Sequence, residues 1–210
     1  MKVPDLPEEA LAYGRLFDRT KLSDKMTWCG WTVQKTPADM WVYQEIIAAT
    51  KPDLLVEIGS GYGGTALFFA CVMESFGKGR VLSFDPKPKG LKFGIPTPKH
   101  PRLKFVTDDA RLHVDRVRRA VKLGDRLMVI EDANHTYSVT SGCLEVFSPL
   151  VARDCYYVVE DTDRHRGEGN NVWRAVCDFL EQNPKWEIDW AAEKYYHTTC
   201  HGGFLRRRTK

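Results

Sequence analysis

Carboxylates recur wherever an apolar run of this chain stops. Glu57 interrupts the run Leu54–Ile58. Asp85 follows Arg80–Phe84, and Asp108 and Asp109 follow Leu103–Val106. Glu131 and Asp132 follow Arg126–Ile130, and Glu160 and Asp161 follow Cys155–Val159. A carboxylate at the end of a buried run is costly unless a partner neutralises it. A row of such stops therefore calls for cations and hydroxyls. Asp132, Glu160 and Asp161 stand together on the later runs. Three hard oxygen ligands, with other positions left to water or substrate, suit Mg²⁺. The competing reading of the same three is a set of caps and ion pairs with Arg164 and Arg166.

The second chemical feature is a glycine turn. Gly59, Ser60, Gly61, Gly63 and Gly64 join the first apolar run to a helical pattern. Glycines there permit positive φ and let a ligand approach the main chain. The N–H groups of the helix start favour polar or anionic groups. Gly59-x-Gly61-x-x-Gly64, with Asp85 near the spacing expected of a ribose ligand, fits the dinucleotide fingerprint of NAD enzymes. Glu57 argues otherwise, because a dinucleotide strand is usually apolar two residues before its first glycine. Val-Glu-Ile-Gly-Ser-Gly resembles the first motif of S-adenosylmethionine (SAM) methyltransferases, where the acid helps to hold the ammonium of the bound amino acid. On that reading Glu57, Gly59, Ser60, Gly61 and Gly64 form the cofactor cradle. Asp85 accepts from the ribose hydroxyls, and Asp109 lies near the adenine amino group.

These residues need a scaffold, and the chain supplies one. Strands are expected over Leu54–Ile58, Arg80–Phe84, Leu103–Val106, Arg126–Ile130 and Cys155–Val159, alternating with helical patterns. Trp186–Trp190 and Gly203–Arg207 are too close for a helical crossover and are expected to pair antiparallel. The result is an α/β fold: a doubly wound, seven-stranded, mostly parallel sheet with an antiparallel last strand. Ligands of such sheets sit beyond the carboxyl ends of the strands, at the topological switch point. Thr36-Pro37-Ala38-Asp39 reads as a helix start with a capping box. Pro86–Pro101, rich in proline and lysine, reads as a non-helical loop: either a solvated surface loop or, since it starts at the carboxyl end of a strand, a flap beside the ligand site. Residues 1–35 read as an irregular arm that carries a subunit contact, with Leu11, Tyr13 and Phe17 lining one helix face. Residues 36–210 form the main domain.

The totals exclude several classes. The chain has 210 residues, 43% hydrophobic and 28% charged, with a net charge of +3, so bulk electrostatics make no case for nucleic-acid binding. Its six cysteines show no zinc or C-x-x-C spacing, which fits reduced thiols. No apolar run approaches the ~20 residues needed to span a bilayer. The N-terminus lacks a signal-peptide core, so a cytoplasmic location is expected.

Longer motifs then add a resemblance. They include Trp28-Cys-Gly-Trp, Lys35-Thr-Pro-Ala-Asp-Met-Trp-Val-Tyr-Gln-Glu-Ile, Lys51-Pro-Asp, Glu57-Ile-Gly-Ser-Gly-Tyr-Gly-Gly-Thr and His100-Pro-Arg. Val129-Ile-Glu-Asp-Ala-Asn-His, Pro149-Leu-Val, Val158-Val-Glu-Asp-Thr and Glu193-Lys-Tyr-Tyr-His-Thr-Thr-Cys-His-Gly-Gly-Phe-Leu-Arg-Arg continue the series. Together, from about Trp28 to Arg207, they resemble the cephalosporin hydroxylase/rhamnosyl O-methyltransferase family. The resemblance implies a class I methyltransferase fold, SAM and Mg²⁺ as cofactors, and a small-molecule hydroxyl acceptor such as a sugar or secondary metabolite. It also implies a homo-oligomer and puts the family's metal acids on Asp132, Glu160 and Asp161. Asn134, where the family usually has aspartate, and Glu131, where it is aliphatic, depart from the pattern.

His135 stands three residues after Asp132. Metal-dependent catechol-type methyltransferases look similar there and use a lysine as base, so His135 is the candidate general base beside Asp132. Its alternative role is to hydrogen-bond a metal acid. Arg164, His165 and Arg166 are weaker substrate-gripping candidates. Two other enzyme readings remain at this level. One is an NAD oxidoreductase, which leaves the later acids unexplained. The other is an iron/2-oxoglutarate hydroxylase using His113-Val-Asp115, whose letters lie in a helical pattern where i and i+2 point apart.

Overall fold

The computed structural model describes residues 4, 6–122, 124–162 and 171–208. Its centre is a seven-stranded sheet in the order β5-β4-β3-β6-β7-β9-β8. The strands are β3 (Leu54–Ile58), β4 (Arg80–Phe84), β5 (Leu103–Val106), β6 (Leu127–Glu131), β7 (Tyr156–Val159), β8 (Trp186–Ile188) and β9 (Phe204–Arg207). From β5 across to β7 every pairing is parallel, and β9 runs antiparallel to both β7 and β8. The expected architecture is therefore present. Strand ends differ from expectation by a residue or two: β6 includes Glu131, and β8 stops at Ile188.

Every residue of β3 and β6 is buried, which is why both read as near-continuous apolar runs. Strand order reverses between these two, since β3 goes on to β4 on one side while β6 goes on to β7 on the other. The crevice at the carboxyl ends of β3 and β6 is the switch point.

Helices α2 (Pro37–Thr50), α3 (Gly64–Ser75), α5 (Val114–Ala120), α6 (Tyr137–Phe147) and α7 (Asn171–Gln182) flank the sheet. Thr36 caps α2, its hydroxyl accepting from Asp39 N at 3.0 Å, and Pro37 opens the first turn. Asp39 does not complete the capping box. Its buried carboxylate instead accepts from Thr198 Oγ1, Thr199 N (3.0 Å) and Thr199 Oγ1 (3.1 Å), tying the helix start to the chain before β9. These buried partners outcompete the local backbone contact.

The N-terminal arm is more ordered than its composition suggests. It forms α1 (Glu8–Arg19) and a hairpin of β1 (Thr27–Trp28) and β2 (Trp31–Thr32). Cys29 and Gly30 both take positive φ in the two-residue turn, the twist that a tight hairpin requires. The hairpin lies on α3: Trp28 meets Phe68 edge-on at 5.0 Å, and Thr65 Oγ1 donates to Val33 O at 3.0 Å. Gly64 is needed at that contact, because a Cβ there would stand 2.2 Å from Thr32 O. The Pro86–Pro101 segment is also not wholly irregular, since Lys89–Lys92 form a single helical turn, α4.

Candidate functional site

The site is built at the switch point. Gly59, at φ +107°, lets β3 and β6 end side by side; a Cβ there would sit 1.9 Å from Asp132 O. Past it the turn is held from beneath. Ser83 Oγ on β4 donates to Glu57, and Ser60 and Ser83 share a hydrogen bond of 2.7 Å. Burial pushes Glu57 up to about 8 against the opposing Ser83 bond. Glu57 therefore supports the turn from below and does not line the cavity above it.

That cavity, about 550 Å³, is floored by residues 58–62 and walled by Asp85, Asp109, Arg111, Asp132 and His135. Its volume suits a cofactor-sized ligand. Asp85 closes one side: Oδ2 accepts from Gly61 N at 3.0 Å and Oδ1 from Lys87 N at 2.8 Å. Asp109 caps the turn after β5. Arg111 grips it through Nε (3.0 Å) and a guanidinium N–H (2.6 Å), holding the carboxyl below its usual range. The segment after β4 reaches the rim through Lys89, whose Nζ donates to Gln34 Oε1 at 2.9 Å, and Phe93 stacks over Tyr62.

A second cavity of about 450 Å³ adjoins the first. Gln34, Lys89, Asp132 and His135 belong to both walls. The remainder is strongly polar and includes Asp18, Lys21, Asp24, Lys35, Glu160 and Asp161. The arm therefore supplies one wall of this cavity.

Between the two cavities stands the acid cluster. Asp132, His135 and Asp161 each present one ligand atom within 4.8 Å of the others. His135 Nε2 lies 3.1 Å from Asp161 Oδ2 and 4.0 Å from Asp132 Oδ1. His135 and Asp161 both have φ of 55°, a conformation uncommon for residues other than glycine. Such strain concentrates where side chains must be aimed. Glu160 faces another way. It accepts from Tyr43 Oη at 2.8 Å through Oε1 and pairs with Lys35 Nζ at 2.7 Å through Oε2. Lys35 is buried and also bonds Asp132 Oδ2. Burial alone would lower the Lys35 pKa, but the two carboxylates outweigh it and hold the ammonium well above its usual value. Of the expected set, Asp132 and Asp161 converge, with His135 as the third member, whereas Glu160 is turned to Lys35 and Tyr43, and Lys35 stands between it and Asp132.

Oxygen donors from Asp132 and Asp161, with His135 beside them and Glu160 behind Lys35, fit a divalent cation. Glu131, next in line, accepts from Ala133 N at 3.2 Å and is pushed up to about 7 by burial. It folds back beneath the turn.

Several sequence candidates lie elsewhere. His113 pairs with Asp108 at 2.9 Å and Asp115 with Arg118 at 2.6 Å, so the His113-x-Asp115 pair that the iron reading relied on does not converge. His197 packs edge-on against Tyr13 and Phe17, and burial lowers its pKa. His201 pairs with buried Glu193. Arg164, His165 and Arg166 lie outside the described residues. Lys35 and Tyr43 stood in a motif of the resemblance with no role attached, and Ser83 carried no signal, since nothing in local spacing joins residue 35 to residues 132 and 160.

A doubly wound sheet with β9 reversed, a glycine turn at the switch point and acids on the neighbouring strand ends is the class I methyltransferase architecture. Solved structures agree on the fold. The Mg–SAM form of CmcI-D160 superposes with a TM-score of 0.68 at 17% identity, covering 89% of this chain and 78% of that one. Apo CalS11, a TDP-rhamnose 3′-O-methyltransferase, does so at 0.51 and 17%, covering 85% and 88%.

This chain belongs to the rhamnosyl O-methyltransferase/CmcI family, whose model matches residues 20–208. It is 32% identical over 193 residues to a rhamnosyl O-methyltransferase of Mycobacterium leprae (strain TN), covering 87% of this chain and 83% of that protein. It is 28% identical over 214 residues to one of Mycobacterium bovis (strain BCG / Pasteur 1173P2), covering 96% and 86%.

Proposed function

We propose that this chain is a metal-dependent O-methyltransferase that moves a methyl group from SAM to a hydroxyl of a small polar molecule, a sugar or a related metabolite. The observation that carries the reading is the wall that the two cavities share. Asp132 and His135 stand between a cofactor-sized pocket over the glycine turn and a polar pocket beside it. A methyl donor in the first and a hydroxyl in the second meet at those residues.

Within that reading Gly59, Ser60 and Gly61 cradle the donor, with Glu57 bracing the turn from below; Gly64, expected in the cradle, does not line the cavity and instead seats the hairpin. Asp85 is directed at ribose hydroxyls and Asp109 at the adenine edge. Asp132 and Asp161 offer oxygens to Mg²⁺, and Glu160 offers one once Lys35 yields. SAM supplies the electrophilic methyl, and a divalent ion, when bound, lowers the pKa of the acceptor hydroxyl and fixes its position. The protein's own part is proton transfer and alignment. In a neutral His135 whose Nε2 lies 3.1 Å from Asp161 and carries the proton, the basic lone pair is on Nδ1. It takes the acceptor proton there, and Asp161 stabilises the resulting imidazolium. Asp18, Lys21 and Asp24 provide hydrogen-bonding partners for a polyhydroxylated acceptor.

Two further expectations belong to this reading. Exposed Leu11, Tyr13 and Leu16 on α1 support a contact between copies of the chain. No described helix is long and apolar enough to cross a membrane, in keeping with action in the cytoplasm.

The test is thermal unfolding with SAM, NAD or 2-oxoglutarate, each with and without Mg²⁺. A ligand at a hundred times its Kd stabilises by about 2.7 kcal/mol. SAM is expected to raise Tm and NAD to leave it unchanged. A rise with NAD alone would sink the proposal.

A further inference from the structure

The Lys35 ammonium is the best-enclosed cation of the site, and it stands among the acids assigned to the metal. It bonds Asp132 Oδ2 on one side and Glu160 Oε2, at 2.7 Å, on the other. The second oxygen of Glu160 is taken by Tyr43 Oη at 2.8 Å. Both Glu160 oxygens are thus engaged, and Glu160 reaches a shared cation only if the ammonium gives up its place. His135 and Asp161 meet on the other side of Asp132, where the ligand atoms of all three lie within 4.8 Å. Lys35 thus occupies the Asp132–Glu160 side of the cluster, while His135 and Asp161 come together on the other side.

Physical chemistry gives this arrangement two consequences. Buried carboxylates without a counter-charge repel one another and are costly to desolvate. Lys35 removes that cost while no metal is present, so the acids stay converged. The same positive charge opposes an incoming divalent cation, through like-charge repulsion in a poorly screened site and by occupying donor oxygens. An ammonium on a flexible four-carbon stem is suited to moving aside, whereas a guanidinium with a fixed fork would lock the carboxylates.

We propose that Lys35 is a built-in counter-cation of the metal site: it holds Asp132 and Glu160 in place in the metal-free protein, competes with the divalent ion for them, and so keeps the ion weakly bound and exchangeable. The inference rests on the assignment of a divalent ion to this cluster. It makes Lys35 a positioning residue, not the base, because its lone pair is protonated in the ion pair. The methyl-transfer machinery itself contains His135.

Calorimetric titration of Mg²⁺ into wild type and Lys35→Met tests it without using turnover. A purely structural lysine predicts weaker Mg²⁺ binding in the variant, because the acids would splay. The counter-cation predicts the reverse: Lys35→Met binds Mg²⁺ at least tenfold more tightly. Without metal it melts below wild type, and saturating Mg²⁺ removes the difference. Equal or weaker binding by a variant that keeps its wild-type circular dichroism overturns the inference. Absence of Mg²⁺ binding to wild type overturns the metal assignment itself, a separable result.

Should Lys35→Met fail to fold, wild type labelled with ¹⁵N-lysine provides the second measurement. The Lys35 Nζ resonance, assigned by its loss in Lys35→Arg, is expected to move as Mg²⁺ is added. A signal that stays fixed while Mg²⁺ saturates the protein overturns the inference.

Discussion

At the residue scale, His135 and Lys35 both stand beside the acid cluster, and geometry separates their roles. Lys35 is enclosed between two carboxylates, and an ammonium stabilised in that way is a poor base. His135 reaches the wall between the cavities and contacts Asp161, the arrangement that fixes an imidazole's tautomer and stabilises its charged form. Replacing His135 with alanine is expected to leave SAM affinity within a few-fold of wild type and to lower kcat by about 10²–10⁴, the usual contribution of a positioned general base. Calorimetry for SAM and a steady-state assay with a rhamnoside acceptor measure the two quantities. Wild-type kcat in the variant would remove His135 from proton transfer and leave it as a tether for Asp161.

At the element scale, what matters is how strand ends are held together. Most of this was legible in the sequence, because apolar runs, glycine and acid stops follow from burial and turn chemistry. The edges of β3, β4 and β5 emerge as expected. Helix α4, the β1–β2 turn and the place of Glu57 were not legible. The β1–β2 turn uses Cys29-Gly30 where Asn-Gly is the familiar signal, so its two positive φ values had no local marker. Glu57 was visible as an acid, but its place beneath the turn depends on Ser83, which lies on the neighbouring strand.

That placement has a consequence for pH. The Glu57 pKa is raised by burial to about 8, against 4.5 for an unburied glutamate. The folded chain therefore keeps a proton that the unfolded chain loses between those values. Stability from this group is fully present below pH 4.5 and falls as pH rises towards about 8, on the order of a few kcal/mol in all. Glu57→Gln keeps the hydrogen bond to Ser83 but cannot ionise. Denaturant unfolding from pH 5 to 9 is expected to give the variant a flatter profile and a stability advantage above pH 8. Parallel profiles for the two proteins would show that Glu57 is already ionised in the native state.

At the scale of the whole molecule, the arm joins sheet, site and surface. Its hairpin seats on α3, Lys35 at its end enters the acid cluster, and residues 18–24 wall the polar cavity. Sequence distance hid this: Lys35 and Glu160 are far apart in the chain, and only the finished sheet brings them together. The outer side of the arm carries three exposed large apolar side chains among its charged ones. Leu11, Tyr13 and Leu16 are 40%, 42% and 42% exposed, beside a groove lined by Pro7, Pro37, Tyr195 and Tyr196. A second copy of the chain is the occupant proposed for this face. Burying the exposed part of each leucine contributes about 1 kcal/mol, so losing both weakens association at least tenfold. Light scattering across a concentration series is expected to find wild type as a dimer or larger. Leu11→Glu/Leu16→Glu should dissociate at higher concentration with its Mg²⁺ and SAM affinities intact, because neither leucine lines either cavity. A wild-type chain that remains monomeric throughout the series would leave α1 to function only as the outer wall of the acceptor cavity.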